Sequence, residues 1–110
     1  MFITMCVIAY NEENAIDRIL GDIAAQDYNH NDMVVLVDGA STDNTKKHLD
    51  NFKEKYKDDF RRVVVLDNHK RTLPSGWNVA LREYKGDAII KVDAHAEIPK
   101  DFVSKNVRVL

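Results

Sequence analysis

The chain has 110 residues, 45% of them hydrophobic and 31% charged, and a formal net charge of −2. That profile fits one small domain able to bury a modest core and gives no bulk attraction to nucleic acid or membrane. A single cysteine, Cys6, excludes an intrachain disulfide, and no apolar stretch approaches the roughly 20 residues of a membrane span.

Phe2 to Ala9 is a continuous apolar run rich in β-branched residues, which predicts a strand covered on both faces. It lacks a basic leader and a small-residue cleavage site, so it reads as a strand and not as a signal peptide. Tyr10-Asn11-Glu12-Glu13-Asn14 breaks the run. Ala15, Ile16, Ile19, Leu20, Ile23 and Ala24 then recur at helical spacing, with Asn11 or Asn14 as the expected N-cap. Met33 to Val37 predicts a second buried strand ending at Asp38-Gly39. Ser41-Thr42-Asp43 supplies caps for a helix whose inner stripe is Thr45, Leu49, Phe52 and Tyr56.

Arg62 to Leu66 is the third expected strand, followed by Asp67-Asn68-His69-Lys70-Arg71. Pro74 suits the first turn of a helix with Trp77, Ala80, Leu81 and Tyr84 inside. The fourth strand is the apolar run after Gly86-Asp87, and it stops at Asp93-Ala94-His95. A last helix starts at Pro99-Lys100-Asp101-Phe102 and runs toward Leu110. Cys6 reads as a small buried hydrophobe, Trp77 and Tyr84 as core, and His30 and His48 carry no role.

Strand–helix alternation predicts an α/β fold: a mostly parallel, Rossmann-like four-stranded sheet with helices on both faces and right-handed crossovers. Ligands of such sheets sit outside the carboxyl ends of the strands, where strand order reverses. All four expected strands deliver polar residues to that edge: Tyr10 and Glu12, Asp38, Asp67 to Arg71, and Asp93 with His95. Asp93 and His95 offer oxygen and nitrogen ligands on one turn, which suits a divalent cation. Acids beside the basic cluster His69-Lys70-Arg71 suit a metal-bound diphosphate, and Asp38 could accept hydrogen bonds from a nucleobase or ribose. No G-x-G-x-x-G, G-x-x-x-x-G-K-[ST], serine elbow, H-E-x-x-H or C-x-x-C occurs.

Three segments in order, Val7-Ile8-Ala9-Tyr10-Asn11-Glu12-Glu13, Val37-Asp38-Gly39-Ala40-Ser41-Thr42-Asp43 and Val92-Asp93-Ala94-His95-Ala96, resemble the N-terminal half of a family 2 glycosyltransferase of the GT-A fold. Asn68 to Arg71, Trp77-Asn78 and Pro99-Lys100-Asp101 look closest to bacterial exopolysaccharide enzymes of the succinoglycan type. The resemblance implies a nucleotide-sugar donor, UDP-linked, and transfer with inversion to a glycan or lipid-linked acceptor. It implies nucleotide-sugar contacts from Ala9, Tyr10, Glu12, Asp38, Asn68, Arg71, Asn78 and Asp93, and Mn²⁺ or Mg²⁺ held by Asp93 and His95. His95 stands where the family has a second Asp, Gly39 interrupts the usual pair of acids after the second strand, and Trp77 stands where many members place an Arg.

The same resemblance places the catalytic base beyond residue 110, so the chain is expected to be a donor-binding domain truncated before its acceptor half and inactive alone. The expected location is cytoplasmic, or the cytoplasmic membrane face in a longer parent. Two rivals remain at this point. A receiver-like signalling module would want paired acids after the first strand and a fifth strand carrying Lys. A nucleotidyltransferase would want a Gly-rich, basic first loop.

Overall fold

The computed structural model describes residues 3–27, 33–69 and 88–108. Their elements run β1 (Ile3–Ala9), α1 (Ile16–Ala24), β2 (Met33–Asp38), α2 (Thr45–Tyr56), β3 (Arg62–Asp67), β4 (Ala88–Asp93) and α3 (Phe102–Arg108). The four strands form one sheet in the order β3-β2-β1-β4, and every neighbouring pair is parallel. After β3 the chain returns past β1 to add β4, so strand order reverses between β1 and β4. The crevice where a doubly wound sheet takes its ligand therefore opens at the carboxyl end of β1.

Alternation along each strand sorts the core. Ile3, Met5, Val7 and Ala9 of β1, Val34 and Leu36 of β2, Val63 of β3 and Val92 of β4 share one cluster with Ile16, Ile19, Leu20 and Ile23 of α1, Leu49 and Phe52 of α2, and Val103 of α3. Each such aliphatic or aromatic side chain contributes about 1.5–3 kcal/mol when fully buried. Cys6, Met33, Val35 and Val37 form the opposite face and are equally buried. All six residues of β2 are buried, whereas β3 and β4 each bury one residue and leave the others half-buried or exposed, as outer strands do.

The three described helices pack on the first face. The helix expected around Trp77 to Tyr84 lies outside the described residues, as do Lys70, Arg71, Pro74 and Asn78. One capping expectation is corrected. The N-cap of α1 is Ala15, with no side-chain cap bond, so neither Asn11 nor Asn14 caps it; the first turn is closed instead by the Glu12 carbonyl, which accepts from the N–H groups of Ala15 and Ile16.

The segment after β4 is fastened to the far end of α1. Gln26, 4% exposed, donates from Nε2 to the carbonyls of Asp22 and Pro99 and accepts at Oε1 from Val103 N–H. Asp22 accepts from Ile98 N–H, and Asp27 accepts from the Ser104 hydroxyl. A buried amide whose donors and acceptor are all engaged fixes one arrangement, and here it sets where the chain leaves the tip of β4.

Candidate functional site

Two loops at the carboxyl edge are locked together. The β1–α1 loop reaches the β2–α2 loop through Asn11, whose Oδ1 accepts from Thr42 N–H at 2.8 Å and whose Nδ2 donates to Thr42 Oγ1 at 3.2 Å. Asn11 N–H donates to Ser41 Oγ at 3.0 Å, and Glu12 N–H donates to Thr45 Oγ1 at 2.9 Å. In return Asn44 Nδ2 donates to Glu13 Oε2 at 3.0 Å. Asn11 holds φ 49° and Ala40 φ 60°, the left-handed region that Asn tolerates and Ala does not favour.

Asp43 anchors the same lock. Its Oδ1 accepts from Thr45 N–H at 2.9 Å and from the Thr45 hydroxyl. The hydroxyl bond, followed by backbone bonds, holds the Asp43 carboxyl below its ordinary range. Lys46, one turn on, sits 2.9 Å from Asp67 at the tip of β3, and that hydrogen bond holds the ammonium pKa up.

Asp38 ends β2 and is 3% exposed. Its Oδ2 accepts from Ser41 N–H at 3.3 Å, and its carbonyl accepts from Asn68 N–H at 2.7 Å. Oδ1 is buried with no hydrogen-bond partner among the described residues. A desolvated carboxylate oxygen without a donor is costly, and such an atom at a strand tip marks a place where a ligand donor would be accommodated.

Asp93 lies on the other side of β1. In the sheet register Ala9 pairs with Asp38 and Ile8 with Asp93, so the two acids flank the last residues of β1, two strand spacings or about 10 Å apart. Asp93 to Ala96 is a tight turn: Ala96 N–H donates to the Asp93 carbonyl at 3.1 Å, and His95 N–H to Asp93 Oδ1 at 3.3 Å. Ala94 is buried in the core, which turns Asp93 and His95 outward on either side of it. The His95 ring then meets Glu12 across the crevice, with Nδ1 3.4 Å from Glu12 Oε1 and 3.2 Å from Asp93 Oδ1.

The structure thus brings Glu12, Asp93 and His95 together and sets the exposed Tyr10 at the head of the same crevice. Asp38 and Asn68 lie nearby and are buried. Ala9 is buried too and engages through its backbone, its carbonyl accepting from Gly39 N–H at 2.8 Å. Arg71 and Asn78 lie outside the described residues. Among the described residues no three His, Cys, Asp or Glu side chains could hold a metal ion by themselves. Asp93 and His95 supply one oxygen and one nitrogen donor set, which fits a divalent ion that draws its remaining ligands from a diphosphate or water. A surface groove of about 450 Å³ lies elsewhere, between α1 and α2, where Asp17 and His48 pair at 2.8 Å; it holds none of the strand-tip residues.

The interlocking role of Asn11, Ser41 and Thr42 was missed from sequence. An Asn two residues past a buried strand was the available signal, since Asn is enriched at positive φ.

The family model described as glycosyl transferase family 2 matches residues 4–110. The succinoglycan biosynthesis protein ExoA of Rhizobium meliloti is 30% identical over 88% of this chain and 29% of its own length. The mannosyltransferase PcManGT from Pyrobaculum calidifontis, solved in complex with GDP-Man and Mn²⁺, superposes with TM-score 0.89 at 31% identity, covering 96% of this chain and 31% of that one. S. aureus TarS 1-349, solved with UDP-GlcNAc, superposes with TM-score 0.80 at 28% identity, covering 98% of this chain and 30% of that one. The chain spans a third or less of the length of the curated relatives it matches. The sheet is that of the GT-A fold, the receiver-like rival is not favoured, and the chain belongs to glycosyl transferase family 2.

Proposed function

We propose that the crevice at the carboxyl end of β1 binds the nucleoside diphosphate of a sugar donor, UDP-linked, in an inverting transfer to a glycan or lipid-linked acceptor of polysaccharide synthesis. The observation that carries this reading is the placement of Asp38 and of Asp93 with His95 on either side of β1 at the switch point of an all-parallel sheet. Tyr10 offers an exposed ring for base contact, and Asp38 Oδ1, without a donor among the described residues, offers an acceptor for a nucleoside N–H or hydroxyl. Asp93 and His95 would hold Mn²⁺ or Mg²⁺, which when bound neutralises charge on the leaving diphosphate.

In the transfer, an acceptor hydroxyl oxygen forms a bond to the anomeric carbon as the bond from that carbon to the β-phosphate oxygen breaks. The hydroxyl proton passes to a general base, and no residue of this chain is assigned that role. Neighbours of known structure support both UDP and GDP as the nucleotide, so the base is decided by experiment. Calorimetric titration with UDP and GDP, each with and without Mn²⁺, tests the reading: UDP binding strengthened by Mn²⁺ supports it. Equal or tighter GDP binding overturns the UDP assignment, and no binding of either overturns the donor site.

A further inference from the structure

Two carboxylates meet the same nitrogen of His95. Nδ1 faces Asp93 at 3.2 Å and Glu12 at 3.4 Å, while Nε2 has no partner among the described residues. Asp93 is a neighbour within the same turn, so its contact is local. Glu12 comes from the β1–α1 loop, 83 positions away in sequence, and its side chain is 26% exposed against 61% for Asp93. Charge interactions at the more shielded group are less screened. The Glu12 backbone is also fixed, its N–H on Thr45 Oγ1 and its carbonyl on the N–H groups of Ala15 and Ile16. An acceptor on a fixed backbone therefore faces an exposed ring whose Nε2 has no partner among the described residues.

A neutral imidazole donates from one nitrogen and accepts at the other, and an ionised carboxylate only accepts. The Glu12 hydrogen bond thus requires the proton on Nδ1, which in the neutral ring leaves the lone pair on Nε2. Free histidine prefers the opposite tautomer, so the protein must impose this one. An acid behind a histidine ligand fixes the ring and raises the basicity of the coordinating nitrogen.

We propose that Glu12 is a positioning residue: it holds His95 as the Nδ1–H tautomer and so makes Nε2 the ring atom that accepts a divalent cation. This rests on the donor-site reading above for its purpose, but the tautomer itself needs neither nucleotide nor metal.

The test uses the 110-residue chain. Long-range ¹H–¹⁵N spectra near pH 8, above the ordinary histidine range of about 6.5, report the tautomer without added ligand. The wild type is expected to show Nδ1–H at His95, Glu12→Ala to revert toward Nε2–H, and Glu12→Gln, which keeps an acceptor oxygen, to retain much of the wild-type pattern. Titration with Mn²⁺ alone should then show affinity about 10–100-fold weaker in Glu12→Ala. An Nε2–H tautomer in the wild type, or the same ring pattern in Glu12→Ala, overturns the proposal. A shifted tautomer with unchanged Mn²⁺ affinity, or no Mn²⁺ binding by the wild type, overturns its ligand half. Separate titration with UDP keeps the two readings apart: a chain that binds UDP with the wrong tautomer loses this inference alone.

Discussion

Asn11 and Thr42 hold each other across two loops, Asn11 Oδ1 accepting from Thr42 N–H at 2.8 Å and Asn11 Nδ2 donating to Thr42 Oγ1 at 3.2 Å. The pair makes the turn after β1 and the turn after β2 into one unit, and that unit carries Tyr10, Glu12 and Asp38 to the crevice. A flexible version of either loop would spread those side chains over many positions and weaken ligand binding by the ordering it then required.

Asn11→Gly keeps the backbone freedom that φ 49° demands and removes the side-chain bonds. It should lower unfolding free energy by about 1–3 kcal/mol, and amide exchange should accelerate in both loops together. Exchange confined to the β1–α1 loop would contradict the mutual lock. Urea melts and hydrogen-exchange mass spectrometry measure the two effects.

Ala40 sits at φ 60°, a conformation costing an L-residue roughly 1–2 kcal/mol that glycine avoids. Ala40→Gly should therefore raise stability by about 1 kcal/mol in a denaturant melt, the reverse of the usual Ala→Gly effect. A loss of stability would show that the left-handed turn is not where the strain resides.

Burial pushes the Cys6 thiol up to about 12, Lys91 opposing the shift in part. The reactive thiolate is then scarce at pH 8. Native chain should resist iodoacetamide and react only at the rate of unfolding, which mass spectrometry across a urea series reads. Rapid labelling of folded protein would contradict the buried position.

The Asp43 carboxyl is held below its ordinary value of 3.8, first by the Thr45 hydroxyl bond. A group depressed in the folded state contributes stability above its unfolded pKa, and that contribution is lost as pH falls through the folded value. Asp43→Asn should accordingly show a flatter decline in stability below about pH 4 than the wild type, followed by thermal melts from pH 6 to pH 2. Parallel declines would assign the acid sensitivity to other carboxylates.

Gln26→Ala would strand the buried Val103 N–H, while the Pro99 carbonyl keeps its bond from Phe102 N–H. A loss of about 1–3 kcal/mol for the stranded group is expected, with broadened signals from Ala96 to Val103 because the exit from β4 loses its anchor. Unchanged stability would mean that Asp22 and Asp27 fasten the segment without it.

The four strands and their polar rim were legible early because each strand is a short run rich in β-branched residues that ends on a polar residue: Ala9-Tyr10, Val37-Asp38, Leu66-Asp67 and Val92-Asp93. Burial on both sides of β1 and β2 left a simple signal in the sequence. The loop lock was not legible. Asn11, Ser41 and Thr42 have the composition of ordinary caps and turns, and only the parallel pairing of β1 with β2 brings positions 30 and more apart within hydrogen-bond reach. The meeting of Glu12 with His95 was hidden for the same reason: sequence placed both on one rim, whereas their contact depends on β4 pairing with β1. The tight Asp93–Ala96 turn, with Ala94 inside, aims the ring.

Chemical-shift mapping of the ¹⁵N-labelled chain with UDP and Mg²⁺ tests the central claim most directly. Saturable shifts centred on Tyr10 to Glu12, Gly39 and Asp93 to His95, and weakened at least tenfold in Asp93→Ala, are the expected result. Shifts centred on Asp17, His48 and Tyr56 in the groove between α1 and α2, or none at millimolar UDP, would contradict it.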